Sequence, residues 1–159
     1  MWNIIGRLLS IGLIVALAFW KMAPQPQVPY DTWSISEKDA LNVAEATLRY
    51  QFEQADKSRE VRKKKWLVLV FGDSASPEFL SRFSDRTNLI EEVGDEELTP
   101  SKIALFAIQH AKRIDATTIS VTTSTIGVDP SEDRPVQADL VAVLKDGQWK
   151  VDPSQPSQQ

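Results

Sequence analysis

The chain has 159 residues, of which 25% are charged and 42% are hydrophobic, and its formal net charge is −4. These proportions are typical of a folded globular protein, and the negative balance argues against general nucleic-acid binding, which needs a basic footprint. The chain contains no cysteine, which excludes disulfides, thiolate catalysis and cysteine-based zinc sites.

The first 22 residues form the most apolar stretch, with Arg7 as the only charged residue between Ile4 and Trp20. Trp2 and Trp20 are 18 positions apart, or about 27 Å along a helix, which is close to the thickness of a bilayer core. We predict a transmembrane anchor over residues 1–22, with both tryptophans at the interfaces and Arg7 reaching the headgroups. A cleaved signal peptide is the alternative, because Ala16-Leu17-Ala18 has the pattern of a cleavage site.

The basic residues around this segment predict its orientation. The α-amine and Arg7 lie on the N-terminal side and Lys21 on the other, which favours a cytoplasmic N-terminus and an extracytoplasmic remainder, periplasmic or extracellular. Residues 23–33 then form a tether that begins with three prolines within six positions. Such a sequence favours polyproline II and would hold the following domain about 20–25 Å from the bilayer.

An amphipathic helix is predicted to open the domain, which we place at residues 34–152. Ser34 and Ser36 begin two overlapping capping boxes, and the apolar stripe from Leu41 to Phe52 has helical spacing, so the helix should run to about Asp56. Six of the next nine residues are basic. They fit a solvated helix end and loop, or alternatively a contact with anionic lipid headgroups made by Arg62, Lys63, Lys64 and Lys65.

The rest of the domain reads mainly as strands. We predict a buried strand over 66–71, a short helix over 77–83 capped by Ser76, and a loop over 85–101. The acidic cluster of that loop fits no metal-ligand spacing, so we predict no metal or cofactor. Residues 103–113 fit either a helix or a doubly buried strand. A strand over 117–128 and a hairpin over 136–151, turned by Asp146-Gly147, complete the domain before a frayed tail over 153–159.

This layout, a capped helix followed by a mainly antiparallel sheet, resembles NTF2-like and cystatin-like α+β domains, in which a long helix lies in the hollow of a curled sheet. Leu48-Arg-Tyr-Gln-Phe52, Ser76-Pro-Glu-Phe-Leu80 and the closing Gly147-Gln-Trp-Lys-Val151 are similar to a pattern in uncharacterised bacterial envelope proteins. The resemblance implies two strands for the stretch from Leu105 to Val121 and thus favours the strand over the helix for residues 103–113. The resemblance implies a fold and a location in the cell envelope, but no biochemical activity.

One local motif suggests catalysis. Phe71-Gly72-Asp73-Ser74 resembles the first block of GDSL esterases, in which the serine is the nucleophile. A serine nucleophile needs a histidine base, and His110 is the single histidine of the chain. A turn that leads into the next helix explains the same residues, so a small serine hydrolase using Ser74 and His110 is the alternative. Our main expectation is a non-catalytic, membrane-tethered module that binds a protein partner or a small ligand, as in the anchored NTF2-like subunits of type IV secretion.

Overall fold

A computed structural model describes residues 35–91, 101–129 and 134–154. The predicted anchor, the tether, the capping box of Ser34, most of the acidic cluster and the last five residues lie outside these ranges. Among the described residues, no helix has the length and apolar character needed to cross a membrane.

The described chain forms an α+β fold in which a curled, mixed sheet packs against one long helix. In chain order the elements are α1 (Glu37–Ala55), α2 (Arg59–Arg62), β1 (Lys65–Val70), β2 (Asp73–Ser74), α3 (Pro77–Leu80) with a 3-10 turn (Ser81–Phe83), β3 (Leu89–Ile90), β4 (Ile103–Asp115), β5 (Thr118–Ile126), β6 (Val136–Lys145) and β7 (Gln148–Val151).

The strands are arranged in the order β2-β1-β4-β5-β6-β7, and β3 pairs with β1. The pairs along β4-β5-β6-β7 are antiparallel, as expected from the hairpins, and so is β1-β2. The β1-β4 and β1-β3 pairs are parallel. The sheet is therefore mainly antiparallel, as expected, and the two parallel pairs at β1 make it mixed.

Helix α1 begins and packs as its sequence predicts. Ser36 is the N-cap, and its side chain accepts a hydrogen bond from Asp39 N at 3.1 Å. The face of α1 that carries Val43, Ala44, Leu48 and Phe52 is fully buried against the sheet. Since these apolar side chains recur at helical spacing on one face, their burial drives the helix onto the sheet.

An aromatic cluster forms the centre of the core. The ring centroid of Phe52 lies 5.0 Å from those of Trp66 and Phe106 and 5.4 Å from that of Phe83. Trp66 also donates its indole N–H to the carbonyl of Val61 at 2.9 Å. The cluster joins α1, β1, β4 and the 3-10 turn, so these elements share one hydrophobic core.

Residues 103–113 are confirmed as a strand and the helical alternative is wrong. Strand β4 pairs with β1 along one edge and with β5 along the other. Because β4 is a central strand in its first half, Ile103–Ile108 is buried on both faces. A strand buried on both faces is a continuous apolar run, and such a run also matches the spacing of a helix.

Two other expectations need correction. The segment 85–101 is not all loop, because Leu89 and Ile90 pair with β1 as β3. The strand predicted over 66–71 ends at Val70, and Phe71 belongs to the turn between β1 and β2. The short helix after Ser76 is confirmed, with Phe79 and Phe83 buried.

Two tight hairpin turns have left-handed central residues. At the β6-β7 turn, Asp146 has φ 53° and Gly147 has φ 75°, which agrees with the type I′ turn expected for Asp-Gly. At the β1-β2 turn, Phe71 has φ 53° and Gly72 has φ 91°. A bulky side chain in this region costs about 1–2 kcal/mol relative to an extended or helical backbone, so the Phe71 turn is strained.

Candidate functional site

Three arginines attach the segment 77–86 to α1, and we call them the arginine clasp: Arg49, Arg82 and Arg86. Arg49 pairs with Glu45 at 3.1 Å, and its guanidinium lies 5.0 Å from the centroid of the Phe83 ring. It also donates to the carbonyl of Arg82 at 2.6 Å. One side chain thus combines a carboxylate, a carbonyl and an aromatic face, a combination that suits the planar guanidinium.

The other two members of the clasp follow the same plan. Arg82 pairs with Glu45 at 3.2 Å and lies 5.5 Å from the centroid of Phe79. Arg86 pairs with Asp56, and its guanidinium lies 5.7 Å from the centroid of Phe52 and 5.6 Å from that of Trp66. These arginines cover the edge of the aromatic cluster and hold their charges in pairs, so their role is structural.

A fourth arginine fixes the first turn of α1. Arg113 on β4 donates to the carboxylate of Asp39 at 3.1 Å, and the indole N–H of Trp149 on β7 donates to the same carboxylate at 3.3 Å. Asp39 therefore does not complete the reciprocal half of the predicted capping box. Its carboxylate instead joins the start of α1 to two strands.

A basic surface lies beyond the other end of α1, and we call it the basic end. It comprises α2, the turn after it, the first residue of β1 and the residue before β4, with these residues: Arg59, Arg62, Lys63, Lys64, Lys65 and Lys102. All of them are exposed except Lys64, which is half-buried. The backbone N–H of Lys65 donates to the carbonyl of Lys102 at 3.0 Å, so the two basic stretches are contiguous.

The charges of the basic end differ in how they are used. The guanidinium groups of Arg59 and Arg62 form no hydrogen bond or ion pair with any residue of the described chain. Lys63 has an exposed pair with Glu60 at 3.3 Å, a type of pair that contributes little to stability. Lys64 donates to the carbonyl of Gly127 at 2.8 Å, and burial lowers the pKa of Lys64, an effect that the nearby carboxylate of Glu60 partly opposes.

The two ends of α1 are therefore chemically different. From the first to the last of its 19 residues, the helix axis spans about 27 Å at a rise of about 1.5 Å per residue. The N-terminal end receives the chain from the predicted tether and carries the Asp39 contacts. The C-terminal end leads directly into the basic end, which consequently lies a helix length from the point where the domain begins.

An open groove adjoins the basic end at the C-terminal end of β5. Its volume is about 250 Å³, and it is lined by Thr125, Gly127, Val128, Asp129, Arg134 and Val136. The carbonyl of Gly127 also accepts the hydrogen bond from the ammonium group of Lys64. Arg134 adds an exposed positive charge to this side of the domain.

The register of the sheet keeps Ser74 and His110 apart. Ser74 is an exposed residue of β2 opposite Leu69 of β1, and Leu69 is opposite Ala107 of β4. His110 is half-buried and lies three residues further along β4. With two strand spacings and three residues between them, their Cα atoms are about 14 Å apart, and neither side chain bonds the other. Serine activation requires a direct hydrogen bond to the base.

Two buried polar atoms on α1 have no hydrogen-bond partner in the described chain. They are the hydroxyl of Thr47 and the carbonyl oxygen of Gln51, whose residues are 0% and 8% exposed. The two positions are one helical turn apart on the face that meets the sheet. The apolar stripe predicted from Leu41 to Phe52 does not reveal Gln51, because a glutamine at a core position breaks the apolar pattern.

Groups of three or more metal-ligating side chains are absent from the described ranges 35–91, 101–129 and 134–154. Of the basic residues proposed from sequence, Arg62, Lys63 and Lys65 are exposed together and Lys64 is bonded to Gly127. Sequence reasoning missed Lys102, which only the β1-β4 pairing brings to the same surface. The predicted membrane contacts Trp2, Arg7 and Trp20 lie outside the described residues.

Comparison with protein-family models and with curated proteins finds no match for the chain.

Proposed function

We propose that the protein is a non-catalytic, membrane-tethered binding or assembly module, with an extracytoplasmic domain of the NTF2-like or cystatin-like type. The helix packed against a curled α+β sheet supports this type of domain. The apolar sequence of residues 1–22 supports the anchor. The domain binds its partner through the basic end, and that partner is an anionic segment of another protein.

The observation that carries the proposal is the contrast between two sets of arginines. Arg49, Arg82, Arg86 and Arg113 are each bonded to a carboxylate within the domain, whereas Arg59 and Arg62 of the basic end are exposed and unpaired in the described chain. A cluster of like charges raises the energy of the free protein slightly and gives it an attractive field for an anionic ligand.

The position of the basic end favours a protein partner over the anchoring bilayer. The chain enters α1 at its N-terminal end, and the basic end lies about 27 Å away along the helix axis. Attraction to lipid headgroups decays within about 10 Å at ordinary salt concentrations. An upright domain therefore directs the basic end away from its own membrane, towards proteins that approach from the aqueous side.

The experiment uses the full chain in nanodiscs of zwitterionic lipid and a fluorescent polyglutamate peptide as the anionic probe. Reversal of Arg59 and Arg62 to glutamate should weaken peptide binding about tenfold or more, and salt should weaken binding to the native chain. Lys38 and Lys150 provide the matched control, since both are exposed lysines outside the basic end. Their reversal should leave binding unchanged.

Equal losses in the two double variants would contradict a site at the basic end. Failure to bind polyglutamate, together with Arg59- and Arg62-dependent binding of phosphatidylserine vesicles, would replace the protein partner with a lipid surface.

A second experiment tests on which side of the membrane the domain lies. Because the chain has no native cysteine, Lys150→Cys introduces a single thiol. A membrane-impermeant maleimide should label this variant in intact cells, and labelling only after cell lysis would contradict an extracytoplasmic domain.

A further inference from the structure

The second half of β4 has one open edge. Strand β1 ends at Val70 opposite Ile108, and the N–H of Phe71 donates to the carbonyl of Ile108 at 2.7 Å. Beyond this point, β4 pairs only with β5 within the described chain. The open edge therefore runs from Gln109 to Asp115, which is about 20 Å of strand.

Backbone groups along this edge are available for pairing. Alternate residues of an antiparallel strand bond to opposite neighbours, and the N–H of Leu144 on β6 bonds to Thr117 in the direction of β5. Every second residue after Thr117 therefore also bonds towards β6, and these residues include Ile119 and Val121. Ile119 lies opposite Arg113, and Val121 lies opposite Ala111. Ala111 and Arg113 consequently direct their own N–H and carbonyl groups to the open edge.

Exposed apolar side chains lie at both ends of the edge. Three large hydrophobic residues of the described chain are exposed, namely Phe71 (38%), Ile114 (50%) and Val136 (38%). Phe71 lies where β1 leaves β4, and Ile114 is the extra residue of the bulge between Arg113 and Asp115. The first two therefore bracket the open edge, whereas Val136 is on β6.

The conformation of Phe71 is unfavourable for the free protein. Its φ is 53°. At this first central position of a type I′ turn, with glycine at the second, asparagine and aspartate are the preferred residues. Phe71 is still 38% exposed, so packing within the domain offsets only part of this strain. Strain that the domain's own packing does not fully offset is typical of residues that contact something else.

We propose that the open edge of β4 binds an extended segment of a partner protein by strand addition, with Phe71 and Ile114 as apolar anchors at its two ends. The partner strand continues the line of β1 and supplies the backbone hydrogen bonds that Ala111 and Arg113 lack. This mode of recognition derives its affinity from the main chain and its selectivity from side chains at alternate positions.

The charge at the centre of the edge specifies the partner further. Lys112 is exposed and has no ion pair in the described chain. A second copy of β4 paired antiparallel about this point would place Lys112 opposite Lys112, and directly opposed like charges are unfavourable. The bulges at Gln109 and Ile114 also restrict unselective pairing. The edge therefore selects a strand with a central acidic residue and apolar ends.

The test uses the full chain in detergent micelles and the synthetic peptide Leu-Thr-Val-Glu-Val-Thr-Leu, with binding measured by fluorescence anisotropy. The same peptide N-methylated at alternate residues cannot supply the backbone donors and should not bind. Phe71→Asn should weaken binding about tenfold while raising the midpoint of thermal unfolding, because asparagine suits the turn. Val136→Asn is the control for an equally exposed apolar residue and should leave binding unchanged.

A charge exchange provides a second readout that a structural role would not change. Lys112→Glu should weaken binding of the glutamate peptide and should favour the same peptide with a central lysine. Equal binding of the N-methylated peptide, no effect of Phe71→Asn, or no exchange of preference at Lys112 would each overturn strand addition. The proposal is independent of the basic end, so the Arg59 and Arg62 reversals should leave this peptide bound.

Discussion

The arginine clasp and the basic end use the same type of side chain for opposite purposes. In the clasp, Arg86 pairs with Asp56 and lies over the rings of Phe52 and Trp66. In the basic end, Arg62 is exposed, with no carboxylate or ring against it in the described chain. The chain has nearly equal numbers of acidic and basic residues, 22 and 18, so composition alone does not explain why one set is paired and the other is not.

The difference shows that the role of a charge depends on what the fold places beside it. A guanidinium that covers an aromatic cluster stabilises the domain through packing as well as charge. An exposed guanidinium without a partner contributes little to stability, and its field remains available to a ligand. Substitutions in the arginine clasp should therefore lower stability more than substitutions in the basic end. Substitutions in the basic end should weaken ligand binding more than substitutions in the clasp.

The largest effect is expected for Arg86→Ala. This change removes the ion pair with Asp56 and uncovers two rings of the core, so we expect a loss of about 2 kcal/mol in the free energy of unfolding. Urea denaturation followed by circular dichroism measures it. Arg62→Ala, the control from the basic end, should change stability by less than about 0.5 kcal/mol. Similar losses in both variants would remove the distinction between the two sets.

The contacts of Asp39 offer a second test of the same distinction. Asp39→Ala leaves the buried indole of Trp149 without its acceptor and releases Arg113, so we expect a loss of about 1–2 kcal/mol in the free energy of unfolding. Glu37→Ala is the control, because Glu37 is an exposed acid of the same helical turn. Its loss should stay below about 0.5 kcal/mol. An equal loss in both variants would assign Asp39 only a helix-dipole effect.

Two buried threonines extend the comparison to uncharged groups, since the same substitution should have opposite signs. Thr47 has an unpartnered hydroxyl, whereas Thr123 donates to the carbonyl of Ala138 at 3.0 Å. Thr47→Val should raise the free energy of unfolding by up to about 1 kcal/mol, and Thr123→Val should lower it by about 1 kcal/mol. Thermal and urea unfolding measure both changes. Destabilisation by Thr47→Val would indicate a partner for that hydroxyl.

The smallest effect is expected at an exposed carboxylate in the β4-β5 turn. The backbone N–H of Thr117, followed by the hydroxyl of Thr118, holds the pKa of Asp115 below its ordinary value. The ionised form therefore stabilises the fold above the unfolded-state pKa, and that contribution is lost as the pH falls through the folded-state value. Asp115→Asn should lower the urea midpoint at neutral pH and leave it unchanged in strong acid. A pH-independent difference would contradict this cause.

Local sequence patterns predicted the elements whose neighbours in the chain determine them. The cap at Ser36, the apolar face of α1 and the Asp146-Gly147 turn all follow from residues within a few positions of each other. The same holds for the short helix after Ser76. Periodicity alone did not decide Ile103–Ile108, because a run buried on both faces has no period of its own.

Pairings between distant residues determined what the patterns left open. Parallel pairing of β1 with β4 and β3 depends on contacts across the chain, and it brings Lys102 to Lys65 while separating Ser74 from His110. It also ends at Ile108, which opens the edge beyond it. No local signal encodes where one strand stops along another, since register depends on the burial of whole faces.

The sequence by itself determined the apolar N-terminal segment, the capped helix, the hairpin and the cluster of basic residues, because each depends on local spacing and composition. Only the tertiary structure decided which arginine side chains are paired within the domain. It placed carboxylates and rings against Arg49, Arg82 and Arg86 and placed none of the described ones against Arg59 and Arg62. The physical reason is that ion pairs and stacking act over a few ångströms, and folding sets those distances.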